Sequence, residues 1–160
     1  GQEFLEGQRV YRRANVGRAY VRGVEFQGEW RLPGSTALFG HATQTFGQQV
    51  SNAQPMRRIP PFHGLAGIRW RGPRGVEAEG TLRFAARQDR LSSGDRDDYR
   101  IDPEGTPSWQ VLGLLIRYPI REGIDIVGAA ENLLDQAYRV HGSGIDGAGR
   151  HVWVGIRVGI

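Results

Sequence analysis

Strict alternation of apolar and other residues over long segments restricts the fold of this chain more than any other sequence feature. Every second residue from 152 to 160 is Val or Ile. The positions between them carry His151, Trp153, Gly155, Arg157 and Gly159. Successive side chains of an extended strand point to opposite faces, whereas one face of a helix repeats about every 3.6 residues. The segment is therefore predicted to be a two-faced β-strand.

The same alternation, interrupted by turns rich in Pro and Gly, predicts a series of hairpins. Residues 33–34, 72–75 and 119–123 have the composition of tight turns, because Pro fixes φ and Gly accepts positive φ. The turns join these alternating segments: 20–32 with 36–47, 62–71 with 76–90, and 109–118 with 124–131. A further strand near 9–13 and the final segment bring the total to about eight. We predict an all-β, antiparallel chain.

Long polar loops alternate with these short turns. The loops span about residues 48–61, 91–107 and 136–149, and we expect all of them on one rim of the sheet. Short turns on one rim and long loops on the other are typical of outer-membrane barrels. Several segments also have the ~9 to 11 residues of a tilted membrane-spanning strand. The pattern favours a transmembrane β-barrel.

Charged residues of the alternating segments are predicted to face the lumen of such a barrel. The candidates are Glu77, Glu79, Arg83, Arg87 and Arg157. We interpret Glu77 and Glu79, with Arg83 and Arg87 nearby, as a network of opposite charges. No pair of carboxylates is spaced to act as acid and base, so no catalytic residue is predicted.

Composition excludes several other classes of protein. The longest apolar run, residues 111–116, is far shorter than the roughly 20 residues of a membrane-spanning helix. Cysteine is absent, which removes disulfides and thiolate metal sites. The 21 basic residues are all Arg and are scattered among 17 acidic ones, without the cluster that a nucleic-acid-binding surface shows. We expect no nucleic-acid partner.

The glycine-rich loop near residues 141–147 contains the residues of a dinucleotide-binding motif and of a catalytic triad, but not the structure that either one requires. Residues 142–147 match G-x-G-x-x-G, but dinucleotide binding requires a helix after the motif, and here a strand is predicted. His141, Ser143 and Asp146 lie in the same glycine-rich loop, where a catalytic triad does not easily form. We interpret the segment as a flexible loop.

Residue spacing also gives no metal site. Asp95, Asp97 and Asp98 are spaced as in a calcium loop, but Arg100 occupies the position of the required Gly and the Glu that closes such a loop is missing. We interpret this segment as a solvated acidic loop. None of the four histidines is spaced for paired ligation: His41, His63, His141 and His151. Neither a metal nor a cofactor is predicted.

Three stretches of the chain resemble the barrel domain of TonB-dependent outer-membrane receptors. Residues 15–25 are similar to a strand of that family, and residues 58–62 are similar to its entry into a descending strand. Residues 131–150 resemble its N-L-x-D-x-x-Y element and final loop. The matching positions are Asn15, Gly23, Glu25, Pro60, Asn132, Leu133, Asp135, Tyr138, Gly149 and Arg150.

The resemblance implies that residues 1–160 are the C-terminal portion of a barrel of about 22 strands in the outer membrane of a Gram-negative bacterium. The plug domain, the TonB-contacting segment and a signal peptide are expected to lie outside this chain. The family imports scarce nutrients such as iron-siderophores, haem or cobalamin with energy relayed by TonB. The implied partners are outer-membrane lipid, the TonB complex and a small-molecule metal chelate that the long loops bind.

Two alternatives from other classes stay open at this point. A self-contained eight-stranded outer-membrane barrel, acting as an adhesin or a structural protein, has the same strand pattern. A soluble all-β module that binds a ligand can also have loops of unequal length.

Overall fold

The computed structural model describes residues 2–5, 8–11 and 17–159, which form nine strands, one short α-helix and one 3-10 turn. Asn15, Ile160 and residues 12–13 of the predicted strand near 9–13 lie outside the described residues. The elements are β1 (Gln2–Leu5), β2 (Gln8–Tyr11), β3 (Ala19–Leu32), β4 (Thr36–Gln49), β5 (His63–Arg71), the 3-10 turn (Pro73–Gly75), β6 (Glu77–Ala85), α1 (Ser93–Arg96), β7 (Trp109–Arg121), β8 (Ile124–Glu131) and β9 (His151–Val158).

Strands β3 to β9 form one antiparallel sheet in which each strand pairs with the next along the chain. The all-β prediction and the three predicted hairpins are confirmed. The strand expected near 9–13 is β2, and it pairs with β1 in a separate two-stranded sheet. Among the described residues the large sheet therefore has seven strands and is open at β3 and β9, which a self-contained barrel is not.

The short turns have the backbone conformations that their residues favour. Gly34 (φ 78°) and Gly123 (φ 73°) both lie in the left-handed region, which glycine enters without steric penalty. β3 and β4 have 14 residues each and β7 has 13, well beyond the usual strand of about five or six residues. Among the described residues, no helix is long and apolar enough to span a membrane.

Register gives the sheet two faces of opposite chemistry, because directly paired residues point to the same side. Apolar side chains, each at least 38% exposed, occupy one side, here called the apolar face: Val24, Phe26, Trp30, Leu38, Ile68, Trp70, Leu114, Ile116, Tyr118, Ile126, Val152, Val154 and Ile156. Charged side chains dominate the other, the polar face: Glu25, Glu29, Arg69, Glu77, Glu79, Arg83, Arg117, Asp125, Glu131 and Arg157. An apolar surface of this extent is unusual in contact with water.

Most of the buried side chains lie in the connection between β6 and β7 and not in the sheet. Leu91 and Ile101 are its apolar core, and Asp95 and Asp98 are buried beside them. Ser92 caps α1 through a capping box with Asp95, which satisfies backbone donors at the helix start. The expectation of a solvated acidic loop is wrong, because these carboxylates are the anchors of a folded loop.

Candidate functional site

Three long connections lie on one rim of the sheet, opposite the short turns. They span residues 50–62, 86–108 and 132–150, and we call them the first, second and third loops. The second loop begins earlier than predicted because β6 ends at Ala85, whereas β8 ends at Glu131 as predicted and the third loop follows it directly. The alternation of polar and apolar residues continues beyond the end of β6, so the pattern overestimated the length of that strand.

Asp98 is one of two carboxylates that fasten the first loop to the second. Asp98, whose side chain is 3% exposed, accepts hydrogen bonds from Nη2 of Arg57 at 2.9 Å and Nη2 of Arg58 at 3.1 Å. Arg100 approaches the same carboxylate with Nε at 2.8 Å and Nη2 at 2.7 Å. Charge-assisted bonds of this kind are about twice as strong as neutral ones. The positive charge of the three arginines exceeds the charge of Asp98.

The second acidic anchor, Asp95, holds the backbone of both loops. Its Oδ2 accepts bonds from the Ser92 backbone N at 3.0 Å and the Ser92 Oγ at 2.8 Å. Its Oδ1 accepts a bond from the backbone N of Arg58 at 3.0 Å. These carboxylate oxygens are used by donors of the protein, and no group of metal ligands occurs among the described residues.

The third loop joins this cluster through a histidine. Nδ1 of His141 lies 2.8 Å from Oγ1 of Thr106. Burial lowers the pKa of His141, although the charge of Asp95 opposes the shift. Ser143 donates to the carbonyl of Ile145, and Asp146 accepts from Arg139. His141, Ser143 and Asp146 therefore each bond a different residue and do not bond one another as a catalytic triad does. β9, and not a helix, follows the G-x-G-x-x-G segment.

A cleft of about 310 Å³ opens between the second and third loops. Its aromatic wall is formed by Trp109 and Tyr138, whose ring centroids are 4.9 Å apart. Arg139 and Asp146 form an ion pair of 2.6 Å at its border, and this contact raises the pKa of Arg139 and lowers the pKa of Asp146. The cleft combines planar apolar surface with fixed charges, the lining that small-molecule sites commonly show.

Charges on the polar face are paired across neighbouring strands. Arg69 bonds Glu79 at 2.8 Å, and Glu77 is shared by Arg71 at 3.1 Å and Arg117 at 3.2 Å. The predicted network of opposite charges on this face exists. The arginines that pair with these two glutamates are Arg69, Arg71 and Arg117, and not the expected Arg83 and Arg87.

The remaining predicted lumen residues divide between the wall and the rim. Arg83 is 3.5 Å from Glu131, and Arg157 lies opposite Asp125 in the sheet register. Arg87 lies beyond β6, where its Nη2 donates to the carbonyl of Glu104 at 2.7 Å. Arg87 is therefore part of the second loop and not of the sheet.

Comparison with known proteins assigns this architecture to a family. The model of the TonB dependent receptor-like β-barrel matches residues 2–133. The chain belongs to the TonB-dependent receptor family. Barrels of this family lie in the outer membrane of Gram-negative bacteria, and its members are transporters and not enzymes. No curated protein sequence matches the chain.

A solved structure similar to this TonB-dependent receptor chain is the copper transporter OprC, with a TM-score of 0.76 and 20% sequence identity. The match covers 88% of this chain and 24% of the transporter. The chain thus spans about a quarter of the length of that receptor, and the likeness shows a common fold.

The receptor-family motif of the third loop has a structural role. Asn132 is 1% exposed, and its Nδ2 donates to the carbonyls of Gln136 at 2.9 Å and Ala148 at 3.0 Å. Its Oδ1 accepts from the Gln136 backbone N at 3.0 Å. Asp135 accepts from the backbone N of Arg150 at 2.8 Å. These bonds fasten both ends of the third loop at the start of β9.

Other motif positions accommodate close packing. A side chain at Gly147 would collide with the ring of Tyr138, and a Cβ at Gly149 would lie 3.1 Å from the Asp135 carboxylate. The backbone N of Leu133 donates to the carbonyl of Leu112 at 3.1 Å, which extends the pairing of β7 and β8.

The upstream motif positions lie elsewhere in the sheet and rim. A Cβ at Gly23 would be 2.8 Å from the Gln44 carbonyl, so this position in β3 needs glycine. Glu25 lies on the polar face opposite Thr43, and Pro60 lies in the first loop before β5.

Sequence patterns alone missed the cluster around Asp98. The Arg57–Arg58 pair and the Asp97–Asp98 pair are visible in the sequence, but their contact joins residues 41 positions apart. Only information that links positions so far apart in the sequence, and not a local pattern, could have predicted this contact.

Proposed function

We propose that this chain forms part of the wall and rim of a receptor for active, TonB-energised uptake of a scarce nutrient such as an iron-siderophore or haem. One observation carries the proposal: a sheet with one apolar and one ion-paired face bears three mutually fastened loops on a single rim. Residues 1–160 are the C-terminal portion of the barrel domain in this proposal. The plug and the TonB-contacting region are contributed by other parts of the receptor.

The energetic asymmetry of the two faces supports this orientation in the membrane. An Arg or Lys facing the middle of the bilayer costs about 2 to 4 kcal/mol, whereas the lumen is polar. The apolar face therefore contacts outer-membrane lipid. Glu77, Glu79, Arg83 and Arg157 on the polar face line the lumen, where they keep the interior hydrated and contact the plug.

The ligand is proposed to be a small-molecule metal chelate held by the three loops. The cleft beside Trp109 and Tyr138 offers a planar apolar wall to such a ligand, and its lining carries two arginines, Arg100 and Arg139, and two carboxylates, Asp102 and Asp146. The arginine excess at Asp98 favours a chelate with negative charge. The similarity to a copper transporter supports a metal-containing cargo.

Uptake by cells tests the proposal. A strain that lacks the full-length receptor is supplied with radioactively labelled iron-siderophore, haem and copper complexes, with and without a plasmid copy of the receptor. We expect one of these cargoes to accumulate only when the receptor and TonB are both present. Equal accumulation of every cargo in the presence and absence of the receptor would refute the proposal.

The cleft is tested with matched aromatic variants of the same receptor. Trp109→Ala is expected to weaken binding of the identified cargo at least tenfold, because stacking and burial of a planar group are lost. Trp70→Ala removes an aromatic of the apolar face near the short turns and is the control. A wild-type affinity in the Trp109 variant would move the ligand away from this cleft without changing the transport role.

A further inference from the structure

One charged residue interrupts the apolar face near the loop rim. Arg22 lies in β3 between Tyr20 and Val24, and its side chain is exposed. Its guanidinium carbon is 5.0 Å from the ring centroid of Phe46 and 5.8 Å from that of Tyr20. The two rings are themselves stacked at 6.1 Å. Arg22 is thus held on an aromatic surface that faces outward.

A second arginine reaches the same ring from the second loop. The guanidinium carbon of Arg90 is 3.9 Å from the centroid of Phe46. Its Nη1 donates to the Gly47 carbonyl at 2.9 Å, and its Nη2 donates to Oε1 of Gln48 at 3.0 Å. These acceptors are neutral. In the described part of the chain, no carboxylate lies within ion-pair distance of Arg22 or Arg90, so both charges lack a counter-charge there.

The position of Arg22 and Arg90 along the strand direction places them relative to the lipid bilayer. Trp30 at the short-turn end of β3 and Tyr20 at the loop end are ten positions apart. With a rise of about 3.3 Å per residue and a tilt near 40°, that separation corresponds to ~25 Å, the height of the lipid-facing band of a barrel. Long loops mark the extracellular side. Arg22 and Arg90 therefore lie at the outer border of the band, where long side chains extend to the headgroups.

We infer that Arg22 and Arg90 bind the phosphorylated headgroup of an outer-leaflet lipid. Guanidinium groups present paired donors that match phosphate oxygens, and an uncompensated charge next to hydrocarbon is stabilised by an anion. Phe46 positions both groups, and the bonds to Gly47 and Gln48 fix Arg90 in advance of binding. The site is on the outside of the wall and is independent of the cargo that the lumen carries.

Native mass spectrometry of the full-length receptor in detergent tests this inference. The receptor is titrated with bis-phosphorylated lipid A, with the same lipid after removal of its phosphates, and with inorganic phosphate. We expect the wild type to retain the phosphorylated lipid preferentially, and Arg22→Gln with Arg90→Gln to bind it at least about tenfold more weakly. Arg96→Gln, an exposed arginine of the same loop, is the control and should bind as the wild type does.

Two further measurements keep the result interpretable. Arg22→Gln alone removes no hydrogen bond of the described structure. We therefore expect this variant to bind the phosphorylated lipid several-fold more weakly and to fold normally. Heat-modifiable gel mobility, which reports the folded barrel, should be the same as in the wild type. Equal retention of phosphorylated and dephosphorylated lipid, or equal retention by the double variant and the wild type, overturns the inference. Variant-sensitive binding of inorganic phosphate as tight as that of the lipid also overturns it, because the site would then take free anions.

Discussion

The carboxylate of Asp98 accepts a hydrogen bond from Nη2 of Arg57 at 2.9 Å, and this contact joins the second loop to the first across 41 positions of sequence. Arg58 and Arg100 bind the same group. The carboxylate is nearly buried while Arg57 and Arg58 remain about half exposed, so removing its charge costs more than breaking an exposed ion pair, because the arginines are left without their counter-charge. Asp98 therefore braces the rim together with Asp95, which bonds the backbone N of Arg58.

Replacing Asp98 by Asn should open the rim. The substitution removes the charge that three arginines share, and we expect the loops to lose about 2 kcal/mol of local stability. Trypsin cleavage of the full-length receptor at Arg57, Arg58 or Arg100 should then be roughly 30-fold faster, since cleavage follows the population of the open form. Asp89→Asn, an exposed change in the same loop, should leave the rate unchanged. Wild-type cleavage of the Asp98 variant would show that the brace lies elsewhere.

The strands were predictable and this brace was not, for a physical reason. A two-residue period is local, so residues 152–158 and the three hairpins could be located from neighbouring residues alone. Loop structure depends on contacts between distant residues, such as Asp98 with Arg57. Arg87 was placed in the wall because its parity continues that of β6, although the strand ends at Ala85.

The motif residues show a second limit of sequence patterns. The resemblance singled out Asn132 and Asp135, which lie in the third loop, but a family pattern does not say what its residues do. Both have positive φ, at 50° and 52°, and both accept or donate bonds that close the loop. Asn and Asp tolerate a positive φ better than most residues. This preference explains the two residues once the turn is known, but it does not locate the turn from the sequence.

Asn132→Ala should destabilise the barrel around β8 and β9. Three hydrogen bonds of a fully buried side chain are lost and a residue with Cβ remains at positive φ, so we expect a cost of about 2 to 4 kcal/mol. Urea unfolding of the full-length receptor in detergent measures it. Asn132→Gly relieves the backbone without restoring the bonds, and should recover only part of the stability. Full recovery by glycine would mean that the hydrogen bonds contribute nothing.

Acidification should loosen the third loop through His141. The pKa of this residue is lowered from its ordinary value of 6.5 because burial disfavours the imidazolium, so the closed loop binds fewer protons than the open one. Stability is then retained above pH 6.5 and is lost as the pH falls below that value. The neighbouring charges are Asp95, which opposes the shift, and the arginines beside Gly142 and Gly144, Arg58 and Arg100.

Hydrogen exchange of the third loop between about pH 8 and pH 5 measures this effect after correction for intrinsic exchange. Protection should decrease in the wild type as the pH falls. His141→Gln keeps a polar partner for Thr106 without a titrating group, and its protection should be flat over the same range. A similar decrease in both proteins would assign the pH dependence to another group.

The lumenal role of the polar face predicts different effects for two arginines of similar sequence position. Arg83 lies on the wall beside Glu131, whereas Arg87 bonds a loop carbonyl. Arg83→Gln together with Arg157→Gln should therefore weaken capture of a separately purified plug by the barrel. Arg87→Gln should not. If the double variant captures as much plug as the wild type, these residues do not contact it.

The orientation of the wall is tested most directly by placing one charge at one height on either face. Val154 on the apolar face pairs with Gly128, and Val127 on the polar face pairs with Gly155, so the two valines lie at neighbouring levels of β8 and β9. Val154→Arg should cost about 2 to 4 kcal/mol of barrel stability, because the guanidinium faces hydrocarbon. Val127→Arg places the same group among the charges of the hydrated polar face and should cost much less. Urea titrations of the two receptors in lipid bilayers compare these costs. Equal costs would mean that the apolar face does not contact lipid, and a larger cost for Val127→Arg would reverse the assigned orientation.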